Sequence, residues 1–340
     1  MAYVNTLPGV PKIESPLFDR LFAEADQETR RVAKALHEDG FALIDFPEPD
    51  FPALAEHIIS TLGPRMPLDT FRAGHGAGPR VDGAWRDVPA VHRIASNPAV
   101  LDMLSRLYGR RAFPFQTLNF PVGTQQHPHT DSVHFSSIPE RFMCGVWVAL
   151  EDIHPDAGPL MYYPGSHRLP MLTNEHVGAA AHASPTLPGQ AVFEPMWRSL
   201  VEAKGLKPAH FLPKRGQAVI WSANLLHGGS AQADLNRTRW SQVTHYYFED
   251  CAYYTPMHSD PAYGRVAFRE INDIATGQRV PNRYLGQEIP ASFIDVTRPP
   301  GWASSDSVGM GMGQLNGRSQ PVMSRARRLV GRTLRQMGLR

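Results

Sequence analysis

The chain has 340 residues, of which 42% are hydrophobic, enough to bury a sizeable core in one large or two smaller domains. Its formal net charge of +2 is too small to point to nucleic acid as a partner. The two cysteines form no C-x-x-C pair, the first residues carry no signal-peptide pattern, and no apolar run reaches the ~18 residues of a membrane span, so we expect a cytoplasmic protein with reduced thiols and no transmembrane segment.

The first part of the chain is predicted to be mainly helical. Residues 1–25 have the pattern of an extended N-terminal arm. Asp26 is a suitable N-cap, and Gly40 a suitable C-cap, for a helix that ends near Glu38. Residues 63–90 are rich in Gly, Pro and Arg without a period, which predicts a loop, either functional or simple surface. The other elements predicted here are a strand at 41–46, a helix at 51–62 and a helix from Pro98 to Tyr108.

From Ala112 onward, short alternating or apolar runs predict strands. Helices followed by many short strands favour an α+β chain built on a sandwich or barrel, and residues 26–300 are predicted to form one domain. The predicted strands lie at 113–120, 142–150, 216–221 and 240–248, with a polar insertion at 170–190 and a helix at 192–204.

The end of the chain has a different composition. Residues 301–340 begin with a Gly/Ser/Met-rich stretch and are expected to be flexible. Residues 307–340 hold seven arginines and no acidic residue. Val330, Leu334 and Met337 lie at helical spacing, so this tail is either a basic amphipathic helix that contacts an anionic membrane surface or acidic partner, or a solvated segment.

A metal site is predicted around His129-Thr130-Asp131. In an extended segment, residues i and i+2 lie on one face, so His129 and Asp131 can offer two ligands to one ion. His227, followed by Gly-Gly-Ser, is the best third ligand. Two histidines and one carboxylate form the facial set that non-haem Fe(II) oxygenases use, with further positions left open. His-x-Asp alone is a weak signal, and Pro128 also fits a polar turn.

The stretch 147–168 contains Trp-Val-Ala-Leu-Glu-Asp, Gly-Pro-Leu and Pro-Gly-Ser-His. His129-Thr130-Asp131 precedes this stretch and His227 follows it. In content and order, these motifs resemble the signature of the phytanoyl-CoA dioxygenase-like family of Fe(II)/2-oxoglutarate oxygenases. The resemblance covers residues 26–250 and implies a double-stranded β-helix, a jelly-roll or cupin-like core with flanking helices.

The resemblance also implies the cofactors, Fe(II) with 2-oxoglutarate and O2 as co-substrates. His129, Asp131 and His227 would hold the iron. An arginine would bind the far carboxylate of 2-oxoglutarate. Arg237 and Arg239 compete for this role, and Arg239 is preferred because the family's R-x5-H interval then falls on His245.

Four more residues are expected near the co-substrate. Trp147 matches a family residue beside it, and Gln116 and Asn119 match positions that line its pocket. The family often has Ser two residues after the last histidine. Here that position is Gly229, and Ser230 is the candidate replacement.

The reaction that the resemblance implies is hydroxylation of an unactivated C–H bond in an organic metabolite, with 2-oxoglutarate converted to succinate and CO2. Asp131 supports hydroxylation, because related halogenases replace this carboxylate with a small residue. Two alternatives remain open. One is a cupin-like metal enzyme that uses His127, His129 and His227 without 2-oxoglutarate. The other is a non-enzymatic binding module on the same fold.

Overall fold

The computed structural model of the chain describes residues 4–73, 78–181 and 189–293. Seven α-helices lie in these ranges: α1 Phe18–Leu21, α2 Gln27–Asp39, α3 Phe51–Leu62, α4 Leu68–Arg72, α5 Pro89–Ala95, α6 Pro98–Tyr108 and α7 Glu194–Ala203. The strands are β1 Phe41–Asp45, β2 Val81–Asp82, β3 Ala112–Phe120, β4 Ser136–Ile138, β5 Met143–Ala149, β6 Leu160–Tyr162, β7 Ala209–Phe211, β8 Gln217–Ser222, β9 His227–Gly229, β10 Ser241–Phe248, β11 Ala252–Tyr254, β12 Ile271–Asn272, β13 Arg279–Val280, β14 Arg283–Tyr284 and β15 Gln287–Glu288.

The ends of α2 and α6 follow from their capping residues. Asp26 accepts a hydrogen bond from the amide of Thr29 at 2.8 Å, and α2 stops at Gly40, whose φ of 83° suits glycine. Asn97 caps α6 in the same way, and Gly109 ends it in the left-handed region. These local signals predicted both helices correctly.

Two antiparallel sheets enclose the interior. The larger sheet has six strands in the order β1-β8-β5-β10-β3-β2, and the smaller has three in the order β7-β6-β9. Apolar side chains fill the space between their facing surfaces: Leu118, Phe120, Trp147, Ala149, Ile153, Tyr162, Phe211, Val219, Trp221, Leu225 and Val243. The chain therefore combines helices with antiparallel sheets, as the α+β prediction has it.

Alternate residues of the large sheet face the helices. Val146 and Val148 of β5 and Ile220 of β8 belong to the core that contains the buried faces of α2, α3, α5 and α6. Their sequence neighbours, Trp147 and Val219, face the smaller sheet instead. This two-residue alternation gives the large sheet one helix-covered face and one inner face.

Two predicted segments differ in the structure. The arm at 1–25 is not extended throughout, because Lys12–Glu14 form a 3-10 turn and α1 follows, with Ile13 and Phe22 buried. The predicted loop at 63–90 contains α4 and β2, and β2 forms because Val81 pairs with Asn119 of β3. Such short elements depend on distant pairing rather than on local sequence. The predicted tail at 301–340 lies outside the described residues.

Both cysteines are buried and unbridged. Cys144 lies in β5 and Cys251 lies just before β11. Burial raises the pKa of each thiol above its ordinary value. No helix among the described residues has the length and apolar character that a membrane crossing needs.

Candidate metal and co-substrate site

The two candidate histidine ligands are held side by side by main-chain pairing. His129 and His227 form an isolated antiparallel bridge, in which each amide donates to the other's carbonyl at 2.9 and 3.0 Å. This pairing places the two imidazole rings 4.5 Å apart between their centroids. Residues 98 positions apart in the chain thus become neighbours through backbone hydrogen bonds.

The main chain also fixes which ring nitrogen faces the interior. His129 Nδ1 lies 2.8 Å from the carbonyl of His127, and His227 Nδ1 lies 3.0 Å from the carbonyl of Leu225. A carbonyl oxygen can only accept, so both Nδ1 atoms carry the proton. The Nε2 lone pairs are then left for a metal ion, as in metal-binding histidines generally.

Asp131 supplies the carboxylate from the next turn. Thr130 is extended, so the side chains of His129 and Asp131 lie on the same face. The extended segment ends at Asp131, where a 3-10 turn begins. Asp131 Oδ2 lies 3.8 Å from His227 Nε2. One ligand atom from each of His129, Asp131 and His227 lies within 4.8 Å of the others, and all three side chains are buried.

The protonation states of this cluster suit metal binding. Burial, together with His227, lowers the pKa of His129 to about 3. Burial alone would raise the pKa of Asp131, but the imidazoles of His227, His245 and His129 and the indole of Trp221 lower it to about 2. At neutral pH the site therefore offers a neutral imidazole and an ionised carboxylate, the forms that coordinate a cation.

A buried arginine lies in the same cavity as the three ligands. Arg239 is 1% exposed and donates through Nη1 to the carbonyl of Gly158 at 2.8 Å. Burial lowers its pKa to about 10, so it stays charged at neutral pH. Across the described ranges, no carboxylate pairs with it and its Nε has no hydrogen-bond partner. Arg237, by contrast, is partly exposed and pairs with Asp234 at 3.4 Å.

Two further donors lack an acceptor in the described structure. They are Trp147 Nε1 and the hydroxyl of Tyr162, and both side chains line the cavity with Arg239. Buried donors without partners are costly, so a cavity with three of them is suited to an anion. A dicarboxylate bound between the ligand cluster and Arg239 would satisfy them, so 2-oxoglutarate fits the residues present.

Thr124 takes the place expected for a hydroxyl at position 229. A Cβ added to Gly229 would lie 2.9 Å from Thr124 Oγ1 and 2.8 Å from the amide nitrogen of Gln125, so a serine does not fit there. Thr124 lines the cavity, whereas Ser230 does not, and the amide of Ser230 donates to Pro159 at 2.9 Å. Ser230 therefore lies outside the lining of this cavity, and its contact with the co-substrate stays a prediction.

Gln116 and Asn119 also lie outside this cavity. Leu118 and Phe120 of β3 line it, so Asn119 between them faces the helices and donates to Gln242 at 3.4 Å. A β-bulge leaves Phe115 unpaired opposite His245, and Gln116 Oε1 lies 2.9 Å from His245 Nδ1. Gln116 lines a neighbouring polar cavity, which also contains Trp85, Arg86 and Arg269.

His127 contributes its carbonyl rather than its ring. Its imidazole lies 3.0 Å from Arg198 and 3.8 Å from Glu194, both on α7. It is not among the described groups that could hold a metal ion. The geometry therefore gives no support to a site of three histidines.

The local sequence pattern did not reveal several residues that the fold brings to this cavity. Trp221 donates to Asp131 at 2.8 Å, and His245 Nε2 lies 3.8 Å from the same oxygen, Oδ2. Thr124 and Tyr162 join them in the cavity lining. Each contact depends on strand pairing between distant segments. The alternation of side chains along β8 and β10 was the sequence signal that could have placed Trp221 and His245 on the inner face.

Comparisons with known proteins identify one family. The family model of phytanoyl-CoA dioxygenase (PhyH) matches residues 21–238. A curated relative, the probable phytanoyl-CoA dioxygenase of Caenorhabditis elegans, is 29% identical over 102 residues, which cover 27% of this chain and 33% of the relative. The match thus spans about a third of that relative's length.

Solved structures resemble this chain at low sequence identity. The non-heme alpha ketoglutarate dependent carbocyclase SnoK from nogalamycin biosynthesis is 16% identical, with a TM-score of 0.50 over 68% of this chain and 87% of that chain. EctD from S. alaskensis with 2-oxoglutarate and 5-hydroxyectoine is 19% identical, with a TM-score of 0.49 over 66% of this chain and 77% of its own.

Proposed function

The chain belongs to the phytanoyl-CoA dioxygenase family, and on that premise we propose that it is an Fe(II)/2-oxoglutarate-dependent dioxygenase that hydroxylates an unactivated C–H bond of an organic metabolite. We further propose that its two facing sheets form a double-stranded β-helix. One observation carries the functional proposal: a buried His-Asp-His cluster and a buried arginine without an acidic partner among the described residues line one cavity.

His129 Nε2, His227 Nε2 and the Asp131 carboxylate would hold Fe(II). Bound at these residues, Fe(II) would supply the oxidation of 2-oxoglutarate by O2 to succinate and CO2. The second oxygen atom of O2 would be inserted into the substrate C–H bond. The protonated Nδ1 atoms of both histidines donate to main-chain carbonyls, so the rings keep their orientation throughout.

Arg239 would bind the far carboxylate of 2-oxoglutarate. Its guanidinium is positioned by the Gly158 carbonyl, which leaves Nε free to donate to the co-substrate. Trp147 Nε1, the Tyr162 hydroxyl and Thr124 Oγ1 would complete the polar contacts. The apolar side chains Leu118, Phe120 and Val243 also line the cavity and would limit the access of water to it.

The experiment is an anaerobic titration of the protein with Fe(II) and 2-oxoglutarate, read by their charge-transfer absorbance. We expect a saturable band in the unaltered protein, followed by succinate formation on exposure to air with a panel of candidate metabolites. His129→Ala, Asp131→Ala and His227→Ala should each abolish both signals.

His127→Ala is the matched control, because its ring points toward α7 rather than into the cavity. It should keep the band and succinate formation. Loss of both in His127→Ala, with full activity in Asp131→Ala, would favour the cupin-like alternative. A protein that binds iron and 2-oxoglutarate but forms no succinate in air would be a binding module.

A further inference from the structure

Trp221 makes the one direct side-chain hydrogen bond to Asp131 that is seen in the described structure. Its indole Nε1 donates to Oδ2 at 2.8 Å, and both side chains are buried. Oδ2 is also the oxygen that lies 3.8 Å from His227 Nε2. An indole N–H can only donate, so the bond has a defined direction and favours the ionised carboxylate.

Gly145 creates the space that the indole occupies. Gly145 of β5 is directly opposite Trp221 of β8, and it is also opposite His245 of β10. A Cβ at position 145 would lie 2.1 to 2.5 Å from three atoms of the Trp221 ring, which real structures do not tolerate. With no side chain there, the ring crosses the inner face of β5 and reaches Asp131.

The indole also contacts two imidazole rings near Asp131, those of His227 and His245. Its ring centroid lies 5.3 Å from that of His227 and 6.0 Å from that of His245. A rotation of the indole would therefore disturb the carboxylate and a candidate ligand ring together. In this position the indole lies against Gly145 and its N–H meets Asp131.

We propose that Trp221, seated on Gly145, is a positioning residue that holds the Asp131 carboxylate in its metal-binding orientation. The inference rests on the proposed function, because it assigns Asp131 to the metal. It requires the N–H of the indole and not only its bulk. Hydrogen-bond partners of metal ligands typically contribute about 10- to 100-fold to metal affinity.

The test compares Trp221→Phe with Trp240→Phe in the full chain. Phenylalanine keeps an aromatic ring at position 221 but removes the donor. Trp240 is buried to a similar degree and belongs to the core on the helix side of the sheet, away from Asp131. Metal affinity is measured with Co(II), whose visible absorption reports its ligand geometry, and folding is followed by thermal unfolding.

We expect Trp221→Phe to weaken Co(II) binding by about 10- to 100-fold and to change the visible spectrum. Trp240→Phe should leave both unchanged. Gly145→Ala should also weaken binding, because it displaces the ring. In the double variant Gly145→Ala/Trp221→Phe the loss should not exceed that of the larger single change, since both act through one hydrogen bond.

Equal Co(II) affinity in folded Trp221→Phe and the unaltered protein would overturn this inference. The same loss in Trp240→Phe would also overturn it, because the effect would then be general packing. If the unaltered protein binds no Co(II), the proposed iron site itself is wrong. The two failures are thus distinguished by the behaviour of the unaltered protein.

Discussion

The candidate ligand histidines differ from the other buried histidines near the site. His129 and His227 each donate to a carbonyl two residues earlier, which sets a single tautomer. His245 and His134 face the side-chain amides of Gln116 and Gln190. An amide can accept or donate, so those contacts do not fix the tautomer in the same way. In His129 and His227 the main-chain contact alone leaves Nε2 unprotonated and available to a cation.

Arg239 and Arg237 provide a matched pair for testing the co-substrate site. Arg239→Ala should retain Fe(II) but weaken 2-oxoglutarate binding, because a charge-assisted hydrogen bond contributes about 1.5–3 kcal/mol, or about 10- to 150-fold in affinity. Arg237→Ala should have little effect, since its side chain is partly exposed and pairs with Asp234. The measurement is the anaerobic charge-transfer titration. The opposite pattern would move the role to Arg237.

The residues of the candidate site were predictable only in part. Short motifs indicated His129, Asp131, His227, Arg239 and Trp147, and the structure brings all five to one cavity. Their roles in iron and co-substrate binding remain predictions.

The structure places Gln116, Asn119 and Ser230 outside the lining of this cavity. Side chains alternate along β3, so Asn119 faces away from the cavity because Leu118 faces into it. The bulge at Phe115 directs Gln116 to His245. Short sequence motifs do not indicate a β-bulge, nor a close approach of two distant segments such as that of Gly229 to Thr124.

At the scale of elements, the capping residues predicted helix boundaries well, whereas strand pairing could not be predicted from local sequence. The boundaries of α2 and α6 follow from residues within one turn, Asp26 and Gly40 for one and Asn97 and Gly109 for the other. The short strand β2 exists only because β3 pairs with it. Its sequence holds no signal of its own.

The cap of α2 should give a pH-dependent contribution to stability. The hydroxyl and amide of Thr29, together with Arg106, lower the pKa of Asp26 from 3.8 to about 2. Because the pKa is lower in the folded state, this contribution is complete above the unfolded value and is lost as the pH falls through about 2.

Asp26→Asn keeps a capping oxygen but cannot ionise, so it serves as the comparison. Its melting temperature should be lower than that of the unaltered protein at neutral pH. The difference should narrow as the pH is lowered from about 5 to about 3, near the unperturbed aspartate pKa. A difference that stays constant over this range would mean that the charge of Asp26 does not contribute. The melting temperatures are measured by thermal unfolding, monitored by circular dichroism.

At the scale of the molecule, the folded unit continues beyond the family match. The match ends at residue 238, yet β10 follows it and supplies His245. Further on, β11 pairs with β4, and Asp273 pairs with Arg111 at 3.3 Å. These contacts join the described residues after 238 to the rest of the fold, and the single domain at 26–300 stays a prediction.

Removal of residues 307–340 should leave the site intact, because the candidate ligands and Arg239 all precede residue 240. We expect unchanged Fe(II) and 2-oxoglutarate titrations for the truncated protein. If the seven arginines bind anionic surfaces, the full chain should bind vesicles containing phosphatidylserine more tightly than the truncated chain does at low salt, and added salt should remove the difference. Equal binding by both chains would contradict that role.

The burial of both cysteines gives the protein an internal chemical reporter. Neither thiol is accessible in the folded chain, and burial raises the pKa of each, so the reactive thiolate is scarce. Cys144 belongs to the core on the helix-covered face of β5, so an alkylating reagent should modify it only when the helices separate from this face of the sheet. The rate of alkylation at Cys144 would then measure how often the helix layer behind the site opens, and a metal ion with co-substrate should slow it.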